Sequence, residues 1–146
     1  MKFSISTLLV LSIFLISCKV EPEKINYGAD ACNFCKMTIV DQQHAAQYVT
    51  KKGKQFKFDA VECMFNDLSE NGKENIALFL VADYDQPGSM TNALEATYLI
   101  SQGIKSPMGA FLSSFKLEES AAKTKENLGG ELYNWQEMLA KYQVQP

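Results

Sequence analysis

The N-terminal eighteen residues decide how much of this chain, and how many of its thiols, can fold together. Lys2 is followed by an apolar run of about 15 residues from Phe3 to Ser17, and small Ser17 stands directly before Cys18. The run is short for a membrane-spanning helix, and its flanks are those of a segment that is recognised, cut and removed. Residues 1–17 are therefore expected to be a signal peptide. About 129 residues then remain, enough for one domain with a real core or for two small fused lobes.

Leu15-Ile16-Ser17-Cys18 resembles the bacterial lipobox, in which the cysteine receives a diacylglycerol thioether before cleavage and is then N-acylated, commonly with palmitate. On that reading Cys18 is a lipidation site. The chain then stands in the cell envelope, anchored by lipid to a membrane and facing the periplasm. Residues 18–30 form the lipidated N-terminus and a tether whose Glu21-Pro22-Glu23-Lys24 and Gly28 have linker composition, and residues 31–146 form the folded domain. Four cysteines become three, Cys32, Cys35 and Cys63. Symmetric arrangements of two disulfides or a four-cysteine zinc site are thereby removed, and an odd thiol in an oxidising compartment is reactive or metal-bound.

A net charge of -3 and a pI near 5.2 leave no basic footprint, and the lysines are scattered without interleaved aromatics, which disfavours nucleic acid as a partner. Met37 to Val40, Ala46 to Thr50 and Gln55 to Phe58 read as strands. Asp59 reads as the cap of a helix whose stripe of Ala60, Val61, Met64, Phe65 and Leu68 stops at Asn71-Gly72. Ile76 to Ala82, Thr97 to Ile100 and Ala110 to Ser114 then read as strands and Glu118 to Leu128 as a helix ending at Gly129-Gly130. A short strand from Glu131 to Tyr133 and an end helix with Trp135, Met138 and Leu139 follow. Three strands and a helix, twice, give an α+β fold of two similar small lobes, each an antiparallel sheet of about three strands packed with a helix, plus a C-terminal helix.

Sulfur carries the chemistry. If a strand begins near Cys35, alternation puts Cys35 and Met37 on one face, and a thiolate beside a thioether selects Cu(I) over zinc. The competing reading is that Met37 packs in the core and Cys32 and Cys35 form a redox pair or a structural disulfide. Ser106-Pro107-Met108-Gly109 presents a second thioether on a constrained loop, unless Met108 fills a gap between lobes. Cys63 lies roughly 130° from the centre of its helix's apolar stripe, so it either faces a site or is exposed. Asp59 can cap the helix or support that site from behind. His44, the single histidine, sits in a turn where a solvated side chain is the ordinary outcome, but with the three cysteines it offers a Cys3His zinc set. Met-Thr-Ile-Val after Cys35 is strand-forming, so the helix that activates a thioredoxin-type Cys-x-x-Cys is not expected there. No nucleotide loop, His-Glu-x-x-His pattern or serine nucleophile elbow is present in the sequence.

In combination and order, Cys32-Asn33-Phe34-Cys35-Lys36-Met37-Thr38-Ile39, Phe58-Asp59 with Cys63-Met64, Ser106-Pro107-Met108-Gly109 with Phe111, and Gly129-Gly130 with Trp135 resemble the NosL family of nitrous oxide reductase accessory lipoproteins. Relatives commonly carry glycine where Lys36 stands. The resemblance implies a Cu(I)-binding chaperone rather than an enzyme, with two related lobes. It would deliver copper by ligand exchange to nitrous oxide reductase, alongside a membrane assembly transporter. Carried over by motif, Cys35 and Met108 are the main copper ligands and Met37 the next. Cys32 and Cys63, present in some relatives and not others, are additional metal or redox candidates with His44. The alternatives are an envelope thiol-disulfide oxidoreductase using Cys32 and Cys35, or a copper- or zinc-binding lipoprotein with another acceptor.

Overall fold

The structure, a computed structural model, describes residues 20–145; the expected signal peptide, Cys18 and Lys19 lie outside the described residues. Two antiparallel sheets and three helices follow in the order β1 (Ala46–Thr50), β2 (Gln55–Phe58), α1 (Val61–Asn71), β3 (Ile76–Ala82), β4 (Met90–Asn92), β5 (Thr97–Ile100), β6 (Leu112–Phe115), α2 (Glu118–Leu128), β7 (Glu131–Tyr133) and α3 (Trp135–Lys141). The fold is α+β with two small lobes, as the patterning predicts. The first sheet has the order β2-β1-β3-β4 and the second β6-β5-β7. Each lobe is thus two hairpin-joined strands, a helix and a returning strand, and the first strand of each lobe lies between its neighbours. Each lobe has the expected three antiparallel strands packed with a helix, but the third strand follows the helix instead of preceding it.

The order changes because β3 returns to pair with β1 and β7 with β5, and two expected strands also differ. Met37–Val40 is not a strand: Thr38 makes a single antiparallel bridge to Ala31, and Lys36, at φ 66°, turns the chain left-handed just before it. The strand expected from Ala110 starts two residues later, at Leu112, because Phe111 is also left-handed, at φ 58°. After the Asp85-Gln86-Pro87-Gly88 turn, β4 pairs with the end of β3 through Leu80–Asn92, Val81–Thr91 and Ala82–Met90, an element too short to show a period in sequence.

Alternation explains the packing. In β1, Tyr48 faces α1, stacks on Phe56 at 4.7 Å between ring centres and donates its hydroxyl to Asp67 Oδ2 at 2.6 Å. The α1 stripe of Val61, Met64, Phe65 and Leu68 is fully buried against this sheet. Phe65 joins the lobes, with ring centres 5.6 Å from Tyr98 of β5 and 5.2 Å from Trp135 of α3, and a fully buried phenylalanine contributes about 1.5–3 kcal/mol. Tyr98 points into this main core, while its neighbour Leu99 points to the other face of the second sheet and packs with Ile104, Phe115 and Ala121 of α2. Gly130 lies at φ +108°, and a Cβ there would stand 2.3 Å from the Ile100 carbonyl, so β7 can approach β5 only through glycine.

The segment expected to be a free tether is held down from about Glu21. Gln47, Gln55 and Lys57 on the outer face of the first sheet donate to the carbonyls of Glu23, Glu21 and Lys24, and Ile25 is buried. Asp30 closes the segment with a 2.7 Å ion pair to Lys57, which holds its carboxyl below the usual range. Among the described residues no helix is long and apolar enough to cross a membrane.

Candidate metal centre

Residues 32–37 form a tight knuckle, because the Cys32 N–H donates to the Met37 carbonyl at 2.8 Å and the Lys36 N–H returns to the Cys32 carbonyl at 3.1 Å. Asn33 docks the knuckle on the edge strand β2. Its N–H donates to the Lys57 carbonyl at 2.8 Å, and its Oδ1 accepts the Lys57 N–H at 2.7 Å, so it continues the ladder by one residue. β2 runs directly into Asp59 and α1. The knuckle therefore sits against the N-terminal turn of the helix that carries Cys63.

That docking brings together three residues separated in sequence: the sulfurs of Cys32, Cys35 and Cys63 all lie within 4.8 Å of one another. Cys32 and Cys63 are completely buried, and Cys35 is partly exposed. The offset of Cys63 from its apolar stripe is explained, since it faces the other two sulfurs and not the sheet. None of the three is in a disulfide.

The thiols are electrostatically unequal. Cys32 accepts a hydrogen bond from the Cys63 thiol and from the backbone N–H groups of Asp59, Cys35 and Phe34, which lowers its pKa to about 5 despite burial. The Cys35 N–H contact is 3.4 Å. Cys63 moves well above the usual thiol range because it is the donor in that pair and is buried, and burial also raises Cys35. The hydrogen bonds therefore favour ionisation at Cys32 over Cys35 and Cys63. Backbone N–H groups do here what a helix end does in a thioredoxin-type motif: they come from the knuckle itself and from Asp59, just before α1.

Asp59 is not the cap of α1. Ala60 occupies that position, with no side-chain capping bond. The Asp59 carboxyl is buried, accepts from the Val40 N–H, leaves Oδ1 without a partner among the described residues, and has its pKa raised by burial first and by the Cys32 charge after it. Glu62, next to Cys63, is also buried, with Oε2 lacking a partner among the described residues.

The two candidate methionines lie at the surface: Met37 is 53% exposed and Met108 44% exposed. Neither fills the core. Met108 occupies the third position of a turn closed by the Gly109 N–H on the Ser106 carbonyl at 3.0 Å, with Pro107 before it.

His44 is not solvated and does not join the cysteines. Its Nδ1 lies 2.9 Å from Asp41 Oδ2 and its Nε2 3.1 Å from Ser113 Oγ. This has the connectivity of a Ser-His-Asp triad, but Ser113 is fully buried inside β6, where no substrate carbonyl can reach it. The chain of bonds joins the two sheets instead, together with the Ser114 hydroxyl on the Ala82 carbonyl at 2.6 Å. No sequence signal separates this histidine from a solvated one, because its serine partner is 69 residues away.

A comparison with curated protein sequences finds no match. Among solved structures, the fold is similar to the crystal structure of the copper chaperone NosL from Shewanella denitrificans, with a TM-score of 0.71 and 22% identity over 81% of this chain and 95% of that one. The NosL family model matches residues 24–143, the whole of both lobes with the knuckle, α1 and the Met108 turn, and the chain belongs to the NosL family.

Proposed function

We propose that this chain is a Cu(I) chaperone that receives copper at the cysteine cluster and gives it up by ligand exchange. The observation that carries this reading is the cluster itself: three sulfurs within 4.8 Å, two of them completely buried, with hydrogen bonds that lower the Cys32 pKa. A thiolate matches the charge of a monovalent cation, so fewer protons must leave the cluster when Cu(I) loads than when a divalent ion does. Sulfur donors favour the soft ion.

Of the three cysteines only Cys35 is partly exposed, and Met37 and Met108 are exposed side chains free to add a thioether. Such a site binds from within and exchanges from the surface: a partner's thiolate or imidazole approaches on the Met108 side, displaces a thioether first, and never meets free metal. The same burial argues against a thiol-disulfide oxidoreductase, because the low-pKa sulfur, Cys32, is inaccessible to a protein disulfide. Family membership supports nitrous oxide reductase as the acceptor and a membrane assembly transporter as its companion. Lipidation at Cys18 would keep donor and acceptor on one membrane surface.

Anaerobic titration against a chromophoric Cu(I) chelator tests this. The expected result is about one Cu(I) per chain, with Cys35→Ser and Met108→Ala each at least about tenfold weaker. Unchanged affinity in both variants contradicts the assignment. Transfer to metal-free nitrous oxide reductase, measured as recovered activity and compared with an equal dose of chelated Cu(I), tests the acceptor.

A further inference from the structure

Glu62 is the second residue of α1 and is 2% exposed, an unusual place for a carboxylate. Its Oε1 accepts the Ser106 hydroxyl at 2.5 Å and the Ala110 N–H at 3.4 Å. Those two donors lie two residues to either side of Met108. One side chain, adjacent to Cys63, therefore grips both ends of the turn that presents the thioether.

Just beyond the turn, Phe111 is held left-handed at φ 58°, a conformation that residues other than glycine seldom adopt. A further fixed point is the Ser101 N–H on the Phe111 carbonyl at 3.0 Å. Relaxation of this segment would move Met108 while leaving the cysteines in place. A buried carboxylate with one oxygen unpartnered among the described residues is also a costly way to join two lobes, when an apolar contact would serve.

We propose that Glu62 is a positioning residue for the metal site, clamping the Ser106–Ala110 turn so that Met108 is presented to Cu(I) at the cysteine cluster. This rests on Met108 being a copper ligand. Glu62 itself does not touch the metal. It sets the separation between the thioether and the helix that carries Cys63.

Competition titration of Cu(I) in Met108→Ala, Ser106→Ala, Glu62→Ala, Glu62→Gln and the Ser106→Ala/Met108→Ala double variant decides the matter. Loss of Met108 is expected to weaken binding about 10–100-fold, and Glu62→Ala to approach that loss. Ser106→Ala should weaken binding severalfold, and adding it to Met108→Ala should cost nothing more, since both act through the same ligand. Glu62→Gln, whose amide oxygen keeps the acceptor, should restore binding. A merely structural role would give losses that add to that of Met108→Ala. Additive losses, or wild-type affinity in Ser106→Ala and Glu62→Ala while Met108→Ala is weak, overturn the clamp and leave the copper reading standing. Wild-type affinity in Met108→Ala removes Met108 from the ligand set and overturns the clamp with it. If Glu62→Ala does not fold, Ser106→Ala and its double variant decide between the same outcomes.

Discussion

Replacing Cys32 with serine should remove a pH dependence from the stability of the metal-free, reduced protein. In the unfolded chain a cysteine titrates near about 8.5, and in the folded chain Cys32 titrates at about 5. A depressed pKa adds stability that is fully present above the unfolded value and is lost as pH falls through the folded one. Between about pH 5 and 8.5 the folded form has released a proton that the unfolded form retains. Stability should then rise with pH at up to about 1.4 kcal/mol per unit. Cys35 and Cys63 act in the opposite sense, since their raised values make folding resist ionisation, and they turn the curve down above about pH 8.5. Urea denaturation of anaerobic wild-type and Cys32→Ser protein at several pH values from about 5.5 to 8 gives the difference directly, and ultraviolet thiolate absorbance follows the same ionisation. Divergence of the two stability curves with rising pH, by roughly 1 kcal/mol per unit, is the expected result. Parallel curves would refute the preformed thiolate and, with it, the charge argument for a monovalent ion.

Three further substitutions test particular contacts. Lys36→Gly should raise stability by about 0.5 kcal/mol, the relief of a left-handed residue less the chain entropy of glycine, and should leave copper stoichiometry unchanged; thermal melts and Cu(I) titration check both. Gly130→Ala should lower stability by about 3 kcal/mol or more, because the new methyl meets the Ile100 carbonyl, and unfolding in urea measures it. His44→Ala should cost about 1–3 kcal/mol by leaving the buried Ser113 hydroxyl unpaired, yet bind Cu(I) as the wild type does, which the same two measurements check.

The strands β1, β2, β3, β5 and β7 and the helices α1, α2 and α3 are visible in sequence because their periodicity and glycine stops act within a few residues. What is not visible depends on backbone groups or on distant partners. The Glu21-to-Lys24 stretch has linker side chains, but its carbonyls are what Gln47, Gln55 and Lys57 bind, and carbonyls leave no trace in composition. Thr38 and Ile39 have strand propensity that the left-handed Lys36 overrides. The angular offset of Cys63 from its stripe leaves a site or exposure as the readings, and the structure places it in a sulfur cluster. Its closure, however, depends on Asn33 pairing with β2, and nothing in a single asparagine announces that. His44 and Glu62 are hardest to place, since a buried polar side chain is identified by its acceptor or donor across the fold, 69 residues away for His44 and 44 for Glu62.

Copper K-edge X-ray absorption of the Cu(I)-loaded protein bears most directly on the central claim. A first shell of about two to three sulfur scatterers, with no nitrogen or oxygen and with one sulfur lost in Cys35→Ser, is the result expected of a thiolate and thioether site. A shell containing imidazole nitrogen, or one unchanged when Cys35 is replaced, would place the copper elsewhere and contradict it.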